Sequence, residues 1–411
     1  MAYYDHLETR DPAVRETDLR EALPAQIAHA QRRAPAFARI LRGVDPTAVI
    51  DRAALAQLPV TRKSELVDSQ HRDPPFGGLT AVPMGALVQV FQSPGPIYDP
   101  EARRPDFWRF ARALFAAGFR PGDLIHNTFS YHFTPAGSML ATGAHALGCA
   151  VFPAGVGQTE LQARAIHDLK PQGYVGTPSF LKIILDKAVE LRTDVSSLKK
   201  ALVTAEALPP SLREEFNRRG VQTFQCYATA DLGLIAYETP ALEGMVVDEG
   251  VLVEIVRPGT GEPVAAGEVG ELVVTSFNPD YPLIRFATGD LSAVLPGPSP
   301  CGRTNTRIRG WLGRADQTTK VRGMFIHPSQ IAEVLKRHPQ LIKARLLIEQ
   351  RNYQDVMTLR CEAAGDLDDS QRKAVEVTIR DVCKLRGELD VVTPDTLPND
   401  GKVIDDLREY K

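Results

Sequence analysis

The stretch "GYVGTPSFLKIILDKAVELRTDVSSLKKALVTAEA" (residues 173–207) holds one complete unit of the fold. "GYVGTP" (173–178) has the short apolar character of a buried strand. Ser179 to about Leu191 carries apolar residues at helical spacing, and "KALVTAEA" (200–207) reads as a strand again. The same alternation extends in both directions. Upstream lie a helix over "PDFWRFARALFAAG" (105–118), with Phe107, Phe110, Ala111, Leu114 and Phe115 on one face and Gly118 and Pro121 at its end, and a strand over "DLIHNTF" (123–129). A helix in "AGSMLATGAHALG" and a strand in "CAVFPAG" (149–155) follow, and Thr159 with Gln162 predicts a capping box for the next helix. Downstream come the helix "PPSLREEFNRRG" and the strand "VQTFQCYAT" (221–229). Strand and helix in strict turn predict an α/β fold, with a mostly parallel sheet covered by helices. Ligands of such sheets bind at the carboxyl ends of the strands. Three polar clusters fall there: Thr177-Pro178, Thr204-Ala205-Glu206 and Tyr227-Ala228-Thr229-Ala230-Asp231.

With 411 residues the chain exceeds one ordinary domain. From Gly244 the texture changes to short strands between Gly/Pro turns, which predicts a β-rich subdomain over about 244–300 of a large domain spanning 1–313. Residues 314–411 predict a small α+β domain, with helices near 328–337 and 368–384 and strands near 343–349 and 355–363. The composition, 43% hydrophobic and 24% charged with a net charge of −3, gives no basic excess for nucleic acid. No apolar run reaches the roughly 18 residues of a membrane span, and "MAYYDHLETRDP" has no signal core, so a cytoplasmic location is expected. Cys149, Cys226, Cys301, Cys361 and Cys383 have no metal-binding spacing and read as buried thiols.

"VFQSPGPIYDPE" (90–101) is a harder passage. A strand-like run over Ala86–Phe91 breaks at Ser93-Pro94-Gly95-Pro96, and the helix expected near Pro105 follows. Strand, short Gly/Ser loop and helix is a common phosphate-binding arrangement. Pro94 and Pro96 remove two of the N–H donors that such a loop needs.

Four segments carry a family resemblance. "YPLIRFATGDL" (281–291), "GRADQTTKVRGMFIHPSQI" (313–331) and "LPNDGKVIDDL" (397–407), with "NTFSYHFTPAGSMLATGAHALGCAVFPAGVGQTE" (127–160), resemble the adenylate-forming enzymes, specifically their phenylacetate–CoA ligase branch. The resemblance runs from about residue 3 to the C-terminus. It implies ATP-dependent activation of an aromatic or related carboxylic acid as an acyl-adenylate, followed by transfer to a thiol, with coenzyme A as the expected acceptor. The chemical logic is simple: a carboxylate has no good leaving group, AMP supplies one, and the charge on the transferring phosphoryl group must be neutralised. ATP or AMP, Mg²⁺ and coenzyme A are the ligands implied, and a homodimer is a possible assembly.

By the same resemblance Asp290, in "TGD", matches the ribose-binding aspartate, and Arg314 an arginine that reaches ribose or phosphate. Asp316 matches the hinge of the small domain and Lys402, in "NDGK", the catalytic lysine. Glu206 falls beside the adenine, and Tyr227 and Thr229 fall in the nucleotide-binding motif. Tyr131, Phe133, Thr134 and Ala205 fall in the segments that wall the acyl pocket. Asp231 stands where the family has a magnesium-binding glutamate, and Ala230 where it has a hydroxyl, with Thr229 beside it as a substitute. "QSPGPIYDP" stands where the family has its Gly/Ser/Thr-rich phosphate loop, and the lysine and most hydroxyls of that loop are missing. Arg103 and Arg104 are candidates to replace the lost phosphate contacts. The rival reading is a non-catalytic protein that binds AMP, an acyl-adenylate or an acyl-CoA and has lost its triphosphate site.

Overall fold

The structure is a computed structural model that describes residues 2–257, 261–315, 319–322, 324–326, 328–351, 354–363, 365, 367–394, 396–397 and 403–408. It divides after Leu312 into two compact units, the second beginning at Gly313.

The first unit opens with helices α1 (Pro12–Arg33), α2 (Pro35–Ile40) and α3 (Arg52–Leu55), a two-residue strand β1 (Thr61–Arg62) and α4 (Leu66–Arg72). Strands β2 (Leu87–Ser93) and β3 (Ile97–Ala102) pair antiparallel. Helix α5 (Phe110–Ala116) then leads into the alternation of β4 (Leu124–Asn127), α6 (Ala136–Ala146), β5 (Ala150–Pro153), α7 (Thr159–Leu169), β6 (Gly173–Gly176), α8 (Pro178–Glu190), β7 (Lys200–Val203), α9 (Pro210–Arg218) and β8 (Gln222–Thr229). After it the chain is all strand: β9 (Gly233–Tyr237), β10 (Met245–Val247), β11 (Val251–Val256), β12 (Gly270–Ser276), β13 (Phe286–Ser292), β14 (Val294–Leu295) and β15 (Arg307–Ile308).

Two sheets organise these strands. In the larger, the order is β14-β15-β10-β9-β8-β7-β6-β4-β5. Strands β8, β7, β6, β4 and β5 run parallel, as the alternation predicts, while β9, β10, β15 and β14 continue the sheet antiparallel. The smaller sheet has the order β1-β13-β12-β11. The segment 244–300 is therefore shared: β10 and β14 join the large sheet, and β11 to β13 form the small one together with β1 from far upstream. The strands β6, β11 and β12 are buried along their whole length, which accounts for their continuous apolar texture.

Three local expectations are corrected. The passage at 90–101 is not strand, loop and helix but a hairpin: Phe91 pairs with Asp99 and Ser93 with Ile97. The proline pair that spoils a phosphate loop is well suited to the hairpin's tip, where no ladder donor is required. The helix expected from Pro105 begins only at Phe110, after Arg109 in the left-handed region at φ 66°. Phe107 still packs in the core, but from the turn before the helix. Nor do Thr159 and Gln162 form a capping box, since no side chain caps α7. Gln162 is buried and bridges instead, donating to the carbonyls of Gly155 and Gly157 at 2.8 and 2.7 Å and meeting His126 Nε2 at 2.8 Å.

The second unit carries β16 (Thr319–Val321) and β17 (Met324–Ile326) as a hairpin, then α10 (Pro328–Arg337), β18 (Leu341–Arg351), β19 (Gln354–Ala363), α11 (Asp369–Cys383), β20 (Glu388–Val392) and β21 (Ile404–Asp406). Its main sheet has the order β20-β19-β18-β21. Helix α11 has a full capping box from Asp368 and Gln371. All five cysteines are free and buried, Cys301 included, although its sequence context is polar. No helix among the described residues is long and apolar enough to cross a membrane.

Candidate active site

The site is built where the two larger sheets of the first unit come together. Strand β13 belongs to the smaller sheet and carries "FATGD"; β8 belongs to the larger and carries "QCYAT". They meet at Asp290. The Tyr227 hydroxyl donates to Asp290 Oδ2 at 2.7 Å, and Trp311 Nε1 donates to Oδ1 at 3.1 Å. Asp290 is 9% exposed and its backbone N–H is held by Thr288 Oγ1 at 3.2 Å. A carboxylate accepts only, and these two donors hold its plane in one orientation.

Sequence reasoning missed Lys63, which this geometry brings forward. Strand β1 adds to the edge of β13 in parallel, Thr61 beside Phe286 and Arg62 beside Ala287. That register carries the next residue, Lys63, toward the start of the "TGD" segment of β13. Its ammonium donates to Asp231 Oδ2 at 2.5 Å. Burial works to lower the pKa of this ammonium, but the carboxylate of Asp231, helped by Asp99 and Asp290, holds it above its ordinary value. Nothing within the sequence around Lys63 signals a site; the lysine is separated from Asp231 by 168 positions.

Asp231 itself is buried, in the turn that joins β8 to β9. Thr229 shapes that turn by accepting from the Leu232 N–H at 3.2 Å. Gly233 closes it at φ 71°, with the Trp108 backbone so near that an added Cβ would meet its carbonyl at 2.7 Å. Asp99, from the hairpin, is also fully buried and accepts from Ser93 Oγ at 2.9 Å. Burial raises its carboxyl pKa well above the usual range, Asp231 adds to the rise, and Lys63 opposes it. Tyr281 completes the cluster, its hydroxyl pKa raised by burial and by Asp99 and Asp231.

The remaining expected residues are more dispersed. Ala205 and Glu206 follow β7 as exposed residues, Ala205 at φ 69°, and Glu206 accepts from the Ser179 N–H at 3.3 Å. Tyr131, Phe133 and Thr134 lie in the loop after β4. The Tyr131 hydroxyl accepts from Asn127 Nδ2 at 2.8 Å, and burial pushes its pKa up to about 12. Phe133 is 74% exposed at φ 59°, and its carbonyl accepts from the Gln92 N–H of the hairpin at 2.8 Å. Arg104 is engaged by Asp280 at 3.0 Å, and Arg103 lines a cavity of about 340 Å³ with Ala86, Ala102, Arg104, Pro105 and Asp280. Arg314 belongs to the second unit, while Asp316 and Lys402 lie outside the described residues.

The magnesium that the resemblance implies can be tested against this donor set. Among the described residues, no three His, Cys, Asp or Glu side chains are grouped to hold a metal. Magnesium does not require three: it is commonly bound by one or two carboxylates together with substrate phosphates and water. Asp231 Oδ1 and Asp99 Oδ1 are both buried without a hydrogen-bond partner among the described residues, and they fit that sparse requirement. Together with a phosphate, they would hold the ion, which would neutralise phosphoryl charge.

The chain is similar to known proteins in both sequence and fold. Residues 107–278 match the family described as AMP-binding enzyme. The chain is 31% identical over 395 residues to the phenylacetate-coenzyme A ligase of Thermus thermophilus, covering 92% of this chain and 85% of the relative. It is 31% identical over 353 residues to the phenylacetate-coenzyme A ligase of Escherichia coli, covering 81% and 79%. In fold it matches 2-hydroxyisobutyryl-CoA ligase, crystallised with 2-HIB-AMP and CoA, with a TM-score of 0.76 at 24% identity over 98% of this chain and 91% of that one. A similarity of this depth, running through both units, means that the chain belongs to the adenylate-forming enzymes, in their phenylacetate–CoA ligase branch.

Proposed function

We propose that the protein is an AMP-forming acid–thiol ligase that activates an aromatic or related carboxylic acid with ATP and passes the acyl group to coenzyme A. The observation that carries this reading is the sequence identity to phenylacetate-coenzyme A ligases over nine-tenths of the chain. The oriented carboxylate of Asp290, at the meeting of the two sheets, supports it as the ribose anchor. In this reading Glu206, Tyr227 and Thr229 border the nucleotide, and Ala205, Tyr131, Phe133 and Thr134 border the acyl group. Arg314 reaches ribose or phosphate, Asp316 is the hinge and Lys402 neutralises the phosphoryl centre during adenylation. The large domain ends near residue 313 and the small domain carries the lysine.

The test is direct. The full chain is incubated with ATP·Mg²⁺, coenzyme A and a panel of aryl acids, and both pyrophosphate and acyl-CoA are measured. Pyrophosphate released with one acid, followed by its CoA thioester, is the expected result. Pyrophosphate without thioester would move the acceptor from coenzyme A to a carrier-protein thiol or an amine.

One observation favours the second reading, a binding protein for AMP, acyl-adenylate or acyl-CoA. The hairpin tip Pro94-Gly95-Pro96 has one N–H donor where a phosphate loop has several. Tight binding of AMP with no pyrophosphate release from any acid would select it.

A further inference from the structure

The hairpin that stands in place of a phosphate loop has an acidic inner face. Strand alternation turns Ile97, Asp99 and Glu101 inward and Tyr98 outward. Glu101 is accounted for by the Ser138 hydroxyl at 2.7 Å. Asp99 is accounted for only in part: Ser93 serves Oδ2, while Oδ1 has no partner among the described residues. Asp231 Oδ1 and the Tyr281 hydroxyl are in the same condition. Asp99, Asp231 and Tyr281 are 0%, 2% and 2% exposed. Gln70, seven residues after Lys63, clasps the Tyr98 backbone at 2.9 and 2.8 Å and so sets β3 against the segment that carries Lys63. Across that contact both carboxylates act on the Tyr281 hydroxyl and on the Lys63 ammonium. Each unmade hydrogen bond of a buried group costs about 1–3 kcal/mol, and folded proteins keep few of them. Three together mark a place that something else completes.

We propose that Asp99 is a second carboxylate ligand, beside Asp231, for a magnesium ion that arrives with the nucleotide, and that the Lys63 ammonium holds the ion's place until then. The proposal rests on reading this cluster as part of a nucleotide site. Lys63 supplies donors only, and it satisfies one oxygen, Asp231 Oδ2. A hydrated dication brings twice the charge and water donors for the remaining oxygens and the tyrosine. The Lys63 side chain is 24% exposed, so it can leave without opening a core. The hairpin thereby changes its means of holding phosphate. It offers few N–H donors, and its carboxylate grips the tail through the cation instead.

Manganese, visible by electron paramagnetic resonance, replaces magnesium in the test. It is titrated into the full chain alone and with a non-hydrolysable ATP analogue, and AMP binding is measured separately. Lys63→Met should tighten nucleotide-free Mn²⁺ binding about tenfold or more, because the competing cation is gone. Asp99→Asn should weaken Mn²⁺ binding with the analogue at least tenfold while changing AMP affinity by less than about twofold. The double variant should lose the gain that Lys63→Met brings. Mn²⁺ binding by Asp99→Asn equal to wild type, in both backgrounds, would overturn the proposal. If Asp99→Asn fails to fold, Lys63→Met decides alone, and no gain in Mn²⁺ affinity counts against the proposal. Failure of AMP to bind would instead sink the nucleotide reading, and the nucleotide-free titrations would still judge the cation site.

Discussion

At the scale of single residues, the candidate site turns on a carboxylate that two aromatic donors hold in one orientation. Tyr227 and Trp311 each fix one oxygen of Asp290. A hydrogen bond to a charged group contributes about 1.5–3 kcal/mol. Asp290→Asn keeps the shape, removes the charge and turns one acceptor into a donor. AMP should bind it roughly 10–100-fold more weakly, and Tyr227→Phe should cost only about 1 kcal/mol through looser orientation. Calorimetric titration with AMP checks both, and an Asp290→Asn protein with undiminished affinity would remove Asp290 from the nucleotide site. Lys402 is tested by half-reaction. Lys402→Ala should slow adenylation by about 10²–10³, the usual worth of one well-aimed charge. Thioester formation from preformed acyl-adenylate should be far less affected, and equal loss in both steps would contradict the assignment.

At the scale of elements, the upstream segment that ends in Lys63 is fastened to β13 by one buried arginine. Arg285 pairs with Glu254 through both carboxylate oxygens, at 3.0 and 3.1 Å. It also donates to the carbonyls of Ala56, Leu58 and Gly261, and its own carbonyl receives the Thr61 N–H at 3.0 Å. Removing one partner of a buried ion pair typically costs about 3–5 kcal/mol. Arg285→Met should lower the unfolding free energy by that order in a urea titration, and it should weaken Mg²⁺-dependent nucleotide binding by loosening β1. A second element, the turn before α5, is pH-sensitive. Burial, with Asp248 adding to it, pushes the Asp106 carboxyl up to about 7, against the pull of its own helix N–H groups and Arg109. A carboxyl whose folded pKa is raised takes up more protons folded than unfolded. Its stabilising contribution is full below about pH 4 and is lost as the pH rises through about 7, by at most about 1.4 kcal/mol per pH unit. Asp106→Asn should therefore gain on the wild type as the pH goes from 5 to 8. Thermal melts across that range measure it, and parallel curves would show that Asp106 does not titrate there.

At the scale of the whole molecule, the chain is two compact units joined around Leu312-Gly313, and Asp316 follows close behind the boundary. If Asp316 is the hinge, fixing its φ near −65° with proline should hold one arrangement of the units. Asp316→Pro should then keep adenylation and lose thioester formation, measured as pyrophosphate release against acyl-CoA yield. A variant competent in both steps would place the hinge elsewhere.

The sequence by itself determined the parallel half of the large sheet, because strand and helix periodicity is a local property that survives without any tertiary contact. It determined the family for a related reason: motifs such as "YPLIRFATGDL" are contiguous, and each can be read in one place. What the tertiary structure decided was every feature that depends on a partner far away in the chain. The passage 90–101 became a hairpin because β2 found β3 before any helix could begin. Gln162 left its expected cap because His126 and the carbonyls of Gly155 and Gly157 offered it a fully bonded buried position. Lys63 reaches Asp231 because β1 adds to β13, and Asp99 is buried because the pleat of β3 turns it inward. A pattern of neighbours in sequence carries no record of such pairings, which arise only when packing removes the alternatives.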